Sequence, residues 1–399
     1  MKKLLFASFV ALLLCSCGKG DPDLQYFPFQ SERDGKWGMI SADGDVLFED
    51  EFKSECELSV AMRDRFWVKY EGDDGDYYKL FTAEKKPQAV NNTKYSQAGD
   101  FIEKVAPVVK KNGGIMFIDR DGNEAFRLEK VGGKKVEACS NFANGYAIFK
   151  TENNRMGVIN PKGEVVIEPK KYIAMGFVAN GRLLAIDKKY EDADADDRKV
   201  TIVAIPSGEE IGTFAMSKFE DFGNMFRDDR LPAEKPDKGW GFINDKAEWV
   251  MPANSKVKRL YNVGSNSFNR NSWYNGDLCI FKGEDGDGIL DISKGEVILK
   301  AKYEDLIFAD NSGKLLWAEN DNGKWNLINT EGEVVADVDA REAYPFFGSV
   351  AFVRDGDHSW IAVGKDGKDQ KVKDLNGRQL DIFNIEISSL EEYFRSEKE

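Results

Sequence analysis

From Trp37 onward the chain alternates short apolar runs with polar turn residues at a nearly constant interval. Trp37-Gly38-Met39-Ile40-Ser41-Ala42-Asp43-Gly44 recurs as Met156-Gly157-Val158-Ile159-Asn160-Pro161-Lys162-Gly163. It recurs again as Trp240-Gly241-Phe242-Ile243-Asn244-Asp245-Lys246-Ala247 and as Trp325-Asn326-Leu327-Ile328-Asn329-Thr330-Glu331-Gly332. Looser copies begin at Ile115, Asp287 and Trp360, and degraded ones at Tyr78 and Thr201. The anchors are thus 37, 78, 115, 156, 201, 240, 287, 325 and 360, with steps between 35 and 47 residues. A period of about forty residues is that of stacked supersecondary repeats, each too small to bury its own faces.

Each repeat reads as strand, reversal, strand. The run ending at Ile40 or its equivalents has strand composition, and the Ser/Asn/Asp-x-x-Gly after it turns the chain. A second apolar run returns, as in Glu164-Val165-Val166-Ile167 and Glu296-Val297-Ile298-Leu299. Most repeats add a third strand after an aromatic and a Gly or Asn bend, as in Phe142-Ala143-Asn144-Gly145-Tyr146-Ala147. Glycines 38, 157 and 241, each beside a bulky residue inside a strand, predict a bulge or a close backbone approach between repeats. The expected fold is all-β, with about nine antiparallel repeats and about twenty-seven strands. Closure into a β-propeller protects the sheet edges and is favoured over an open β-solenoid, which needs polar caps at both ends. Nine blades exceed the usual four to eight, and closure predicts that Arg33 and Lys368 lie close together.

These repeats resemble the WG-repeat family, whose pattern is Lys-Trp-Gly-x-Ile-x-x-x-Gly, an apolar strand with a Tyr, then Phe-x-x-Gly-x-Ala-x-Val. Lys36-Trp37-Gly38-Met39-Ile40 with Gly44 matches fully, and the repeat from Met156 matches through Gly163, Tyr172 and Phe177. The structural anchors are therefore Trp37, Gly38, Met156, Gly157, Trp240, Gly241, Trp325 and Trp360. The resemblance covers roughly residues 34 to 368 and implies a bacterial all-β scaffold used for binding. Only Trp37 and Trp240 keep the Trp-Gly pair.

The first residues have a different pattern. Met1-Lys2-Lys3 precedes an apolar run from Leu4 to Leu14, too short to span a bilayer and typical of a secretory signal. Leu14-Cys15-Ser16-Cys17-Gly18 resembles the lipobox of bacterial lipoproteins, which implies cleavage before Cys17 and lipid attachment to its sulfur. Gly18 at the next position implies transit to the outer membrane. The expected organisation is a signal peptide over 1–16, a flexible tether over 17–33, the WG-repeat domain over 34–376, and a C-terminal strand and polar tail over 377–399.

Composition narrows the function. The 399 residues are 42% hydrophobic and carry a formal net charge of −14, spread without a basic block; nucleic-acid binding by charge is excluded. Beyond Cys17, the cysteines Cys56, Cys139 and Cys279 are odd in number and widely spaced, which is no disulfide framework. The lone His358 excludes His-rich zinc sites. Asp192, Asp194 and Asp196 begin like a calcium loop but lack its Gly and its terminal Glu, so they read as a solvated acidic loop. Trp67, Trp249, Trp273 and Trp317 lie off the anchors, as core packing or stacking platforms. No nucleotide, nucleophile-elbow or metalloprotease motif occurs, and no cofactor is expected. The expected function is a lipid-anchored envelope scaffold that binds a protein or glycan from the periplasmic or surface side of the outer membrane, without catalysis. The rival is a glycan- or peptide-acting enzyme with carboxylates in a central channel. Cys17→Ser is expected to leave an unprocessed or soluble form, read by membrane fractionation and intact mass. Unmodified wild-type protein beginning at another residue would contradict lipidation.

Overall fold

Every anchor lies within two residues of the start of a strand in the computed structural model, which describes residues 24–260, 273–356, 359–387, 390 and 393–396. The strands are Trp37–Ser41, Tyr77–Thr82, Ile115–Asp119, Met156–Ile159, Lys199–Ala204, Gly239–Ile243, Asp287–Asp291, Trp325–Asn329 and Ile361–Gly364. All nine repeats therefore fold, including the two degraded copies. The described residues are almost entirely antiparallel sheet, with three single-turn 3-10 segments.

The sheets are offset from the sequence repeats by one strand. Met156–Ile159 pairs on one side with the return strand Val165–Met175 and on the other with Ala147–Thr151, the third strand of the preceding repeat. Trp325–Asn329 likewise sits between Leu315–Glu319 and Val334–Ala340. Each sheet, or blade, thus joins one repeat's last strand to the next repeat's hairpin. The first hairpin has no preceding repeat, and its inner edge is taken by Leu24–Gln30, paired from Tyr26↔Ser41 to Gln30↔Trp37. Within the tether expected over 17–33, the segment Leu24–Gln30 is instead a strand, with Phe27 and Phe29 buried at 0% and 2% exposure. The signal peptide and Cys17 lie outside the described residues.

The glycine after the anchor serves a recurrent bulge. The register between Trp37–Ser41 and Val46–Phe52 shifts on both sides of Met39, and equivalent shifts follow Met156, Trp240, Asp287 and Trp325. A bulge presses one backbone onto its neighbour. A Cβ at Gly38 would stand 2.6 Å from the Phe48 carbonyl oxygen, and at Gly157 and Gly241 2.5 Å from those of Ile167 and Met251. The close approach is therefore within a blade: of the two expectations, the bulge holds and the approach between repeats does not. Where Asn326 replaces the glycine, its Oδ1 accepts the N–H groups of Val338 and Asp339, both at 2.8 Å, and satisfies the bulged strand directly.

The reversals follow one design. Asn160 Oδ1 accepts from the N–H groups of Lys162 and Glu164, and its Nδ2 donates to the Glu164 carboxylate. Asn244 and Asn329 repeat all three bonds. A short side chain that caps its own turn favours this geometry, and the fourth position then takes a positive φ, +79° at Gly163, +83° at Gly332 and +57° at Ala247.

By contact density the chain forms two bodies, one of Tyr95–Asn266 with Glu391–Glu399 and N-terminal residues outside the description, the other of Gly18–Lys94 with Ser267–Leu390. In the first, Phe117, Phe142 and Phe149 anchor one core cluster, while Phe226, Leu231 and Ile243 anchor a second. In the second body, Met39, Phe48 and Phe66 form the core of the first two blades, and Trp317, Leu327 and Val363 that of the eighth and ninth.

Within this second body the two ends of the repeat region meet. Phe29↔Ile385 and Gln30↔Asn384 pair the first blade with the chain beyond the ninth, Asp45 bridges Lys373, and the Phe27 and Phe347 rings lie 5.4 Å apart. The pairing of these ends is what the propeller-like reading expects. The C-terminal region departs from the expected single strand and polar tail. It forms two strands, Asn384–Ile385 and Tyr393–Arg395, and Phe394 is fully buried.

Two substitutions test this packing. Trp240, 3% exposed, should cost about 3–5 kcal/mol when truncated to Ala. Gly157→Ala should cost about 1–3 kcal/mol, because a rigid carbonyl meets the new methyl. Denaturant melts measure both, and an unchanged midpoint for Trp240→Ala would contradict its packing role.

Candidate functional site

The place where first and ninth blades meet is a concave one. The first-blade turn Ser41-Ala42-Asp43-Gly44 is held by its own Ser41, whose Oγ accepts the N–H groups of Asp43 and Asp45. That turn projects the Asp43 carboxylate onto the bend before strand Val350–Arg354, where it accepts the Ser349 N–H at 2.8 Å. Gly348 permits the approach, since a Cβ there would lie 2.6 Å from the Ala42 carbonyl oxygen. The Ser349 hydroxyl and N–H together hold Asp43 below the usual carboxylate range.

Beyond the ninth blade, a short hairpin folds back onto the first. Lys373 bridges both Asp45 and Gln379, Asp374 caps the hairpin turn by accepting from Asn376 and Arg378, and Leu375 N–H donates to Glu49 at 2.7 Å. Between these elements lies a recess of about 420 Å3, walled by Asp43, Asp45, Ser349, Gln370, Lys371 and Lys373 among others. Its lining includes two lysines, two aspartates and a glutamine together with the apolar Val350, Ala362 and Val372. Such walls recognise a polar ligand by hydrogen bonds and ion pairs.

The carboxylates held above their usual range lie elsewhere. Burial raises Glu319, and neighbouring Asp305 and Glu304 add to it. Burial likewise raises Glu386, with Glu57 adding repulsion, and it raises Asp221. None of the three lines the recess.

The residues singled out from sequence fall into place as structure. Trp37, Met156, Trp240 and Trp360 are buried, and Trp325 is half-buried. The Trp37 indole N–H donates to the Ser54 carbonyl at 3.3 Å. Trp67, Trp273 and Trp317 are buried as well, and Trp249 packs edge-on against Phe219. These four are packing residues, not stacking platforms. Trp360 stacks on the Tyr344 ring, 4.8 Å away and nearly parallel, and the Arg354 guanidinium also lies 4.8 Å from its ring centre. Asp192, Asp194 and Asp196 are exposed beside two single-turn 3-10 segments, and among the described residues no group of three such side chains could hold a metal. Cys56, Cys139 and Cys279 are buried free thiols, and His358 lies outside the described residues. Sequence reading missed the recess, because its residues sit in turns that look alike in every repeat. Gly348 and Ser349 carried a signal only once closure was assumed.

Fold and site together define a propeller-like, all-β repeat protein with a polar recess where its terminal blades meet. Residues 156–189 match the family model described as WG containing repeat, which supports a WG-repeat protein. No curated protein matches the sequence. Among solved structures, one described as the eukaryotic initiation factor shares 10% identity, with 90% of this chain and 97% of that one covered and a TM-score of 0.50. BamB from Moraxella catarrhalis shares 12% identity, covering 78% and 91%, with a TM-score of 0.40. Apo AztD from Citrobacter koseri shares 13% identity, covering 90% and 96%, with a TM-score of 0.37. At these identities the likeness concerns the fold alone.

The lowered Asp43 gives a signed expectation. A carboxylate held below its unfolded value stabilises the fold above that value, and the contribution is lost as pH falls through the folded one. Asp43→Asn should therefore lower stability at neutral pH, with the difference from wild type closing on acidification below the usual carboxylate range. Melts from pH 7 to pH 2 check this, and a difference independent of pH would refute the Asp43–Ser349 contribution.

Proposed function

We propose that this chain is a lipid-anchored binding scaffold of the bacterial cell envelope, held at the outer membrane through Cys17 and binding a protein or glycan in the recess between its first and ninth blades. One observation carries the reading: the recess gathers carboxylate, amine and amide residues, with Ser349 favouring the charged form of Asp43. A carboxylate locked as an anion holds a ligand but is poorly matched to proton transfer near neutral pH. The lipid anchor rests on the lipobox resemblance at Leu14 to Cys17, and two or three acyl chains give stable attachment.

Glu319 favours a second reading. Its carboxyl is raised by burial beside Asp305 and Glu304, the condition a general acid requires. An enzyme acting on glycans or peptides would use it, and Glu319→Gln would then abolish turnover while leaving the melt nearly unchanged.

A photo-crosslinking residue at Gln370 in intact cells separates the two. The scaffold reading expects one dominant product that Ser349→Trp, which fills the recess, removes in a chain that still melts as a folded protein, at a midpoint lowered by the loss of the Asp43 contact. An identical cross-linking pattern with and without Ser349→Trp would rule out the recess as the binding site.

A further inference from the structure

In the first body, the last strand of the chain is added to a sheet with which it shares no local sequence. Tyr393–Arg395 pairs antiparallel with the edge of Lys134–Ser140, in the register Ser140↔Tyr393, Cys139↔Phe394 and Ala138↔Arg395. The other edge of Lys134–Ser140 is taken by Ala147–Thr151. Three kinds of contact hold the added segment. Main-chain pairing continues past the strand, with Ser396 N–H donating to the Glu137 carbonyl at 2.9 Å. The Gln97 side chain reads the backbone of Arg395 in both directions, accepting its N–H and donating to its carbonyl, each at 3.0 Å. One side chain, Phe394, enters a closed pocket among Val105, Phe117, Cys139 and Phe142 and is 0% exposed.

The pocket is shaped for that ring. A Cβ on Gly99 would stand 2.6 Å from Phe394 Cζ, so a glycine at that wall is what lets the ring in. Arg395 is exposed and contributes chiefly its backbone. Main-chain pairing along a free edge with one anchoring side chain is the chemistry of peptide recognition by strand addition. A three-residue strand is also a small cooperative unit, drawn from the low-stability end of a fold.

We propose that the edge of Lys134–Ser140 and the Phe394 pocket form a binding site for an extended peptide carrying an aromatic anchor, which the chain's own C-terminus occupies in cis. The resident sequence defines the ligand chemistry: an aromatic side chain for the pocket, with unhindered backbone on both sides for Ser140, Ala138 and Gln97. Tethering gives the resident segment an effective concentration of order millimolar, so a peptide in trans binds measurably once the tether or the anchor is lost. The proposal deepens the scaffold reading by naming a ligand class, but its site is separate from the recess, so the two tests fail independently.

The test uses a chain ending at Leu390, full-length Phe394→Ala, and a fluorescent synthetic peptide of residues 391–399. Folding of each variant is checked by its melt. The vacated chains are expected to bind the peptide saturably, while full-length wild type does not. A peptide with Ala in place of Phe394 is expected to bind about a hundredfold more weakly or worse. Gly99→Ala, introduced into the vacated chain, should abolish binding by narrowing the pocket. Cys139 supplies a second readout, because it is 0% exposed and lines the pocket. Site-resolved mass spectrometry should find it blocked to alkylation in wild type, reactive in Phe394→Ala, and protected again by added peptide. Folded vacated chains that take no peptide, or that only self-associate through the bare edge, overturn the proposal. So does failure of both vacated chains to fold, since the segment would then be an obligate part of the core.

Discussion

A β-hairpin standing alone leaves both of its edges without hydrogen-bond partners, and the fold depends on how this chain fills them. Each hairpin takes its inner partner from the repeat before it, as Met156–Ile159 does from Ala147–Thr151. The bulge at the anchor, the side-chain-capped turn and the bend before the third strand all serve that handover by fixing register and direction. The first hairpin has no predecessor. Leu24–Gln30 is therefore a strand, and Asn384–Ile385 and Tyr393–Arg395 add to sheet edges.

The candidate site follows from the same requirement. Where a blade meets the one before it in sequence, bends and turns of consecutive repeats touch, as where Gly145 N–H donates to the Glu103 carboxylate at 3.0 Å. The first and ninth blades meet through residues far apart in the chain: the Asp43 carboxylate on the Ser349 N–H, the main chain of Lys373 bridging that of Asp45, and Gly348 giving clearance. The polar groups that line the recess gather there.

Much of the fold was legible in the sequence because period, turn chemistry and apolar runs repeat. All nine anchors, even Tyr78 and Thr201, found strands. Two things were hidden. The one-strand offset between repeat and blade was invisible, because a repeating pattern reads the same wherever the period is cut, and so the tether was extended over Leu24–Gln30. The C-terminal anchor was hidden because a single Phe394 in a polar segment has no periodicity; only its pocket, built by Gly99 and Phe117 far upstream, gives it meaning. The recess was unreadable for a related reason, since each of its residues is ordinary for a turn.

The offset bears on how such a chain gains or loses length. Deleting or duplicating one period, cut at any point, joins the start of one repeat to the continuation of an equivalent one. The junction rebuilds a complete blade from two incomplete halves. Unequal recombination anywhere along the gene would therefore yield chains whose sheets still pair locally, and selection would act on only two places: the first blade, completed by a strand outside the repeats, and the last, which must still meet it. That freedom in the middle and constraint at the ends accounts for repeats as eroded as those at Tyr78 and Thr201 persisting beside one as regular as that at Met156.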